Sequence, residues 1–218
     1  LAAPAKDLIQ TKPRPGAPAV EPTEARFLFD EDNLYIGVEC FDSDIAHVVV
    51  NELKEDFTYN QSDSIAVYID GLRDRRAGFA FYANPAGAKR DTQLFNDSQF
   101  NQDWDGVWDM KVSRNDKSWI AEYRIPFKTL RFSESSSQDW ALNIGRQTMR
   151  INEDSNWTPI PIRFNAARMS IAGTLKGLES IQQGRNLKVK PFVTAGVTQS
   201  RSGSGSLETT QSLTRLKD

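Results

Sequence analysis

The chain has one cysteine, one histidine and almost no net charge. Each scarcity closes off a class of function. A single cysteine, Cys40, cannot form an intrachain disulfide. Its alternating setting, Val38-Glu39-Cys40, marks it as a small buried side chain rather than a reactive thiol. A single histidine, His47, leaves a Ser-His-Asp triad without local support, because no nucleophile elbow accompanies it. Lys and Arg number 27 against 29 Asp and Glu, so there is no basic field to draw in nucleic acid and no polybasic membrane patch. No apolar run is long enough for a transmembrane helix. GxGxxG, Walker and HExxH motifs are absent, which removes the common nucleotide and zinc-protease signatures. The chain opens at Leu1 without Met or a signal peptide and reads as a processed or trimmed product, so targeting is not legible there.

What is present is a series of short apolar runs broken by turn residues. With 218 residues, 39% of them hydrophobic, the chain has room for one sizeable domain with tails. Strands are expected at 25–29, 34–41, 64–70, 78–84, 89–95, 107–113, 118–125, 140–150 and 169–175. The most informative stretch runs from Asp63 to Asp109. There two apolar runs flank the polar turn 71–76, and Asn84-Pro85-Ala86-Gly87 ends the second. This hairpin suits a protein that binds a ligand on an open sheet face or a loop. A helical turn is expected after Asp44 and another at 126–130. Loops are expected at 96–106 and 152–165. With no long amphipathic helix between strands, the fold class is an all-β antiparallel β-sandwich, jelly-roll-like, with short helical turns only. Three regions follow: an extended Pro-rich lead at 1–23, the sandwich at 24–183, and a tail at 184–218. In the tail, 187–197 alternates like a strand, and the Ser/Gly-rich 200–206 reads as flexible.

The five tryptophans sort by strand period. Trp108 shares a face with Met110 and Val112, Trp119 with Ala121, Tyr123 and Ile125, and Trp140 with Leu142 and Ile144. All three read as core. Trp104 and Trp157 have no such apolar row. They stand among Asp103, Asp105 and Asn156 in polar loops, where an indole either stacks on a sugar ring or folds down over the core. Asp103, Asp105 and Asp109 could also supply a glycosidase pair, although acidic residues beside loop tryptophans are ordinary turn-formers. Calcium is the metal to weigh, because hard oxygen ligands gather at Asp30 and Asp32 and at Asp42 and Asp44. The same residues also build Asx turns at strand ends.

Several short motifs occur in one order: Glu24-Ala25-Arg26-Phe27-Leu28-Phe29-Asp30, Leu34-Tyr35-Ile36-Gly37-Val38, Phe41-Asp42-Ser43-Asp44, Ser62-Asp63, Asp74-Arg75-Arg76, Asn84-Pro85-Ala86-Gly87, Asp103-Trp104, Val107-Trp108, Trp119-Ile120-Ala121-Glu122, Ile125-Pro126-Phe127 and Leu130-Arg131-Phe132. Together, from about residue 1 to 197, they resemble the sandwich domain related to family 9 carbohydrate-binding modules. More narrowly, they resemble the version fused to an outer-membrane β-barrel of unknown function in Gram-negative bacteria. The resemblance implies a non-catalytic domain on the periplasmic side of the outer membrane, with calcium as a bound ion and with 187–197 as the approach to a barrel or its first strand. The family's additional strand ahead of the Pro-rich segment is not in this sequence.

The expected function is therefore glycan binding through Trp104 and Trp157, with Asp103, Asp105 and Asn156 bonding to hydroxyl groups. One alternative is a structural module that docks to its own barrel or to a partner protein. The other is a glycoside hydrolase using Asp103 or Asp105.

Overall fold

Alternating side chains and turn chemistry build two antiparallel sheets. The computed structural model describes residues 3–184, 195–201 and 207–213, the last two stretches by backbone alone. The chain divides into two units, Leu1–Arg185 and Asn186–Asp218. The first unit holds twelve strands: β1 Ile9–Lys12, β2 Thr23–Phe29, β3 Asn33–Phe41, β4 Ser64–Asp70, β5 Gly78–Ala83, β6 Lys89–Phe95, β7 Gln99–Asn101, β8 Asp109–Arg114, β9 Ser118–Pro126, β10 Ser137–Thr148, β11 Glu153–Asn156 and β12 Gly173–Glu179. The larger sheet runs β1-β11-β10-β4-β5-β6-β7, with β12 also paired to β10, and the smaller runs β2-β3-β9-β8. In the second unit, β13 Ala195–Arg201 pairs antiparallel with β14 Leu207–Leu213.

The all-β sandwich is as the alternation predicts. Ile65, Val67 and Ile69 of β4 and Phe79 and Phe81 of β5 share one buried core with Leu34, Ile36 and Val38 of β3 and Tyr123 of β9. Trp108, Trp119 and Trp140 lie in that core, at 3%, 0% and 0% exposure. Cys40 is buried there too, and loss of water around it pushes its thiol up to about 12. Polar clips join the layers. The Arg146 guanidinium of β10 reaches across to the carbonyls of Pro22 at 2.9 Å and Phe41 at 2.7 Å.

Several expectations are corrected. The outer face of the β4–β5 hairpin is not open, since every residue of both strands is buried. A second apolar cluster covers it, with Phe57, Ala66, Tyr68, Ala80 and Tyr82 packed under Ala167 and Met169. A strand that is apolar on both faces is the pattern of a sheet covered on both sides. The Pro-rich lead is not wholly irregular: β1 pairs with β11, and Ala5 bridges to Ala25. The loop expected at 152–165 begins with β11, a strand of polar residues. The loop expected at 96–106 contains β7, closed on β6 by Asn96 and Asp97 at positive φ. The strand expected at 169–175 starts later, because Met169–Ile171 forms a single helical turn before β12. In the tail, β13 extends through Ser200 and Arg201. Most of the stretch read as the approach to a barrel, 187–194, lies outside the described residues, as does 202–206.

Candidate functional site

Two clefts open at the end of the sandwich that carries the β2–β3 turn. The first has a volume of about 530 Å3, and its walls include Phe27, Phe29 and Leu34 from β2 and β3, Leu142 from β10, and Trp157. Trp157 directly follows β11, and its backbone N–H donates to the Ile144 carbonyl at 2.9 Å, which fixes it against β10. The half-buried indole lies against Gly173, where an added Cβ would sit 2.6 Å from ring atom Cζ3. Thus the first residue of β12 has to be small for this ring to lie down. Lys6, Asp7, Thr174 and Lys176 stand at the rim. An apolar lining with aromatic rings and polar groups around it is what a sugar ring requires, with C–H faces on the rings and hydroxyl groups outward.

The second cleft has a volume of about 870 Å3 and lies on the other side of the same turn. Its floor includes Trp108, Pro126 and Phe127, and its walls carry Asp32, Asp109, Arg124, Lys128 and Gln182. Asp109 and Arg124 form an ion pair across β8 and β9, and this holds the Asp109 carboxyl below the usual range.

Trp104, the other indole expected at a ligand, is seated differently. Its ring packs on Phe79 at 4.6 Å and Phe81 at 6.1 Å between centroids, and it borders the core half-buried. It too leans over a glycine, Gly106. Trp104 meets β5, whereas Trp157 lies beside β10, and β4 separates those strands. One strand thus separates the places where the two indoles are seated, and Trp104 lines neither cleft, so the two are not brought to one site. Asp103 and Asp105 are exposed beside Trp104. Asn156 is a strand residue, 5% exposed, and its amide donates to the Thr11 hydroxyl at 2.9 Å, so its bond goes to β1. The sequence misses Phe27, Phe29 and Gly173 as neighbours of Trp157. The one hint was two successive bulky apolar residues, Leu28 and Phe29, running straight into the Asp30 turn, and the structure leaves them 60% and 41% exposed.

Three of the candidate metal ligands, Asp30, Asp42 and Asp44, are occupied by turns and ion pairs, whereas the Asp32 side chain has no partner among the described residues. Asp30 accepts the backbone N–H groups of Asp32 and Asn33 at 2.8 and 2.7 Å and the Tyr35 hydroxyl at 2.8 Å, which keeps its carboxyl below the ordinary range. Asp42 accepts from the Asp44 N–H at 2.8 Å and from Arg150 at 2.8 Å, with Arg146 at 3.8 Å. Asp44 pairs with exposed His47 at 2.7 Å. A carboxylate facing two guanidinium groups does not fit a calcium ion. Among the described residues, no group of three or more His, Cys, Asp or Glu side chains is arranged to hold a metal.

Comparison with known proteins agrees with the fold. A protein of Bacteroides uniformis ATCC 8492, proposed to bind carbohydrate, superposes with a TM-score of 0.60 at 13% identity, over 72% of this chain and 78% of that one. A carbohydrate-binding module of family 9 from Caldicellulosiruptor kristjanssonii in complex with glucose gives a TM-score of 0.53 at 17% identity, covering 79% and 82%. The same kind of module from that organism with cellotriose gives 0.54 at 16%, covering 85% and 88%. At these identities the likeness is one of fold. No curated protein matches the chain. The family described as "Carbohydrate family 9 binding domain-like" matches residues 10–158. On that match, which spans most of the sandwich, the chain belongs to the carbohydrate family 9 binding domain-like family.

Proposed function

We propose that this domain binds a glycan without cleaving it, and that the grip is the cleft floored by Trp157. The family is one of non-catalytic carbohydrate-binding modules, and that supports binding without turnover. The observation that carries the choice of site is the seating of Trp157. Of the two indoles expected at a ligand, it is the one that lines either of these clefts, in a wall that also includes Phe27 and Phe29. Lys6, Asp7 and Lys176 at the rim supply donors and acceptors for hydroxyl groups. The outer face of the larger sheet is covered at β4 and β5 by its own second cluster, which favours the cleft over the sheet face.

The test is a titration of cello-, xylo-, manno- and malto-oligosaccharides, followed by tryptophan fluorescence and calorimetry. At least one series should change the signal, and Trp157→Ala should weaken it tenfold or more without lowering the unfolding midpoint substantially. No response in any series, or undiminished binding by Trp157→Ala, overturns the reading.

We propose also that the domain stands on the periplasmic side of an outer membrane, ahead of a β-barrel. Two features support this. One is the ordered motif series shared with the barrel-fused version. The other is the antiparallel pairing of β13 with β14 in a unit of its own, the kind of strand pair from which a barrel is built. Fractionation of the source cells should recover the protein with the outer membrane, and recovery in the cytosol would refute the placement.

A further inference from the structure

The two clefts are neighbours along the chain. Asn33 lines the larger and Leu34 the smaller, while Leu178 lines the smaller and Ser180 the larger. Two residues of extended chain span about 7 Å. The two clefts thus flank the β2–β3 turn and the end of β12.

The larger cleft is held open by bonds that do not involve a ligand. The Phe127 N–H donates to the Asp32 carbonyl at 2.8 Å, the Thr129 hydroxyl to the Val107 carbonyl at 2.6 Å, and the Gln183 amide to the Leu130 carbonyl at 3.2 Å. Yet the side chains of Glu31, Asp32, Lys128 and Gln182, which are among its lining residues, have no hydrogen-bond or ion-pair partner among the described residues. A pinned backbone that presents unpaired polar side chains leaves their hydrogen-bonding capacity open to a ligand.

Charge decides what it would take. In the larger cleft, Glu31, Asp32 and Asp109 face Arg124 and Lys128. In the smaller, Asp7 faces Lys6 and Lys176. Acidic and basic groups are equal in number over the two together, so neither an anionic nor a cationic chain is favoured. Carboxylates, an amide and an ammonium together match a neutral ligand dense in hydroxyl groups.

We propose that the two clefts form one groove for a neutral oligosaccharide chain of several units. The smaller cleft stacks one unit on Trp157, and the larger bonds to the hydroxyl groups of units that follow across the β2–β3 turn. This rests on the glycan reading of the smaller cleft, and the experiment separates the two.

The full 218-residue chain is titrated with the same four series at lengths from one to six units. In the series that binds, affinity should rise tenfold or more between two and six units. The double variant Asp32→Ala/Lys128→Ala should lose that gain while keeping the affinity for two units. Both positions are exposed, and an unchanged unfolding midpoint verifies the fold. A flat length dependence, with short chains still lost on Trp157→Ala, overturns the groove and leaves the smaller cleft standing. Equal loss at every length in the double variant also overturns the groove. Absence of binding in all four series overturns the glycan reading and the groove with it.

Discussion

The indole N–H of Trp108 donates to a carboxylate oxygen of Asp91 across 2.6 Å, tying the start of the smaller sheet's edge strand to β6 of the larger. The same oxygen accepts the Gly106 N–H at 3.0 Å, so one carboxylate also anchors the loop that carries Trp104. Burial raises the Asp91 carboxyl above its ordinary value of 3.8, against the opposing pull of these two donors.

A pH dependence of known sign results. Because the folded state holds the Asp91 proton more tightly than the unfolded chain, stability contributed here is present below the unfolded value and is lost as pH rises through the folded one. Asp91→Asn keeps an acceptor for both donors and has no charge to bury. Its stability relative to wild type should increase from pH 3 to pH 7, measured by urea unfolding at each pH. Asp91→Ala, which orphans two donors, should cost about 1–3 kcal/mol. A wild-type-minus-Asn difference that is flat in pH would contradict the assignment.

Arg146 gives a prediction of larger size. It is 2% exposed and donates to the Glu21, Pro22 and Phe41 carbonyls and to the Thr23 hydroxyl, while facing Asp42 at 3.8 Å. Removing it leaves the carbonyls without a donor and a carboxylate short of a counter-charge. Arg146→Met should cost about 3–5 kcal/mol, the usual penalty for breaking a buried pair from one side. The denaturant midpoint should fall with its slope unchanged. A loss under 1 kcal/mol would mean that solvent reaches the site.

The strand rows of Trp108, Trp119 and Trp140 were legible because each lies in a run whose alternate residues are apolar. The polar strands were not. β11 reads Glu-Asp-Ser-Asn, and its Glu153 and Ser155 are buried, so hydropathy points the wrong way. What makes it a strand is pairing with β10 and β1, contacts too distant in sequence for a local pattern to report. The cleft was half legible. Trp157 stood out for lacking an apolar row, but Phe27 and Gly173 belong to other strands, and only the fold brings them to it. Trp104 stood out for the same reason, and its ring is instead turned onto Phe79.

Cys40 should be chemically silent in the native protein. It is fully enclosed, and its thiol is held at about 12, so almost no thiolate exists at neutral pH. Labelling by a thiol reagent should proceed at the rate of global unfolding and accelerate with urea along the unfolding limb. Fast labelling in native buffer would show that β3 opens locally.

Trp119 and Trp140 are both 0% exposed, and they differ in one bond. The Trp140 indole N–H donates to the Gln138 side-chain oxygen at 2.9 Å, whereas the Trp119 indole nitrogen has no partner among the described residues. Gln138 cannot turn its amide to compensate, because its nitrogen is bound to the Ser133 carbonyl at 2.6 Å. Trp→Phe at either site removes similar ring volume and leaves a similar cavity. At 140 it also orphans a buried acceptor, while at 119 it deletes an unsatisfied donor. Trp140→Phe should therefore be the more costly by about 1–3 kcal/mol. Parallel urea titrations of the two variants test the ordering, and equal losses would mean that the Trp119 indole nitrogen finds a partner, such as a buried water, in solution.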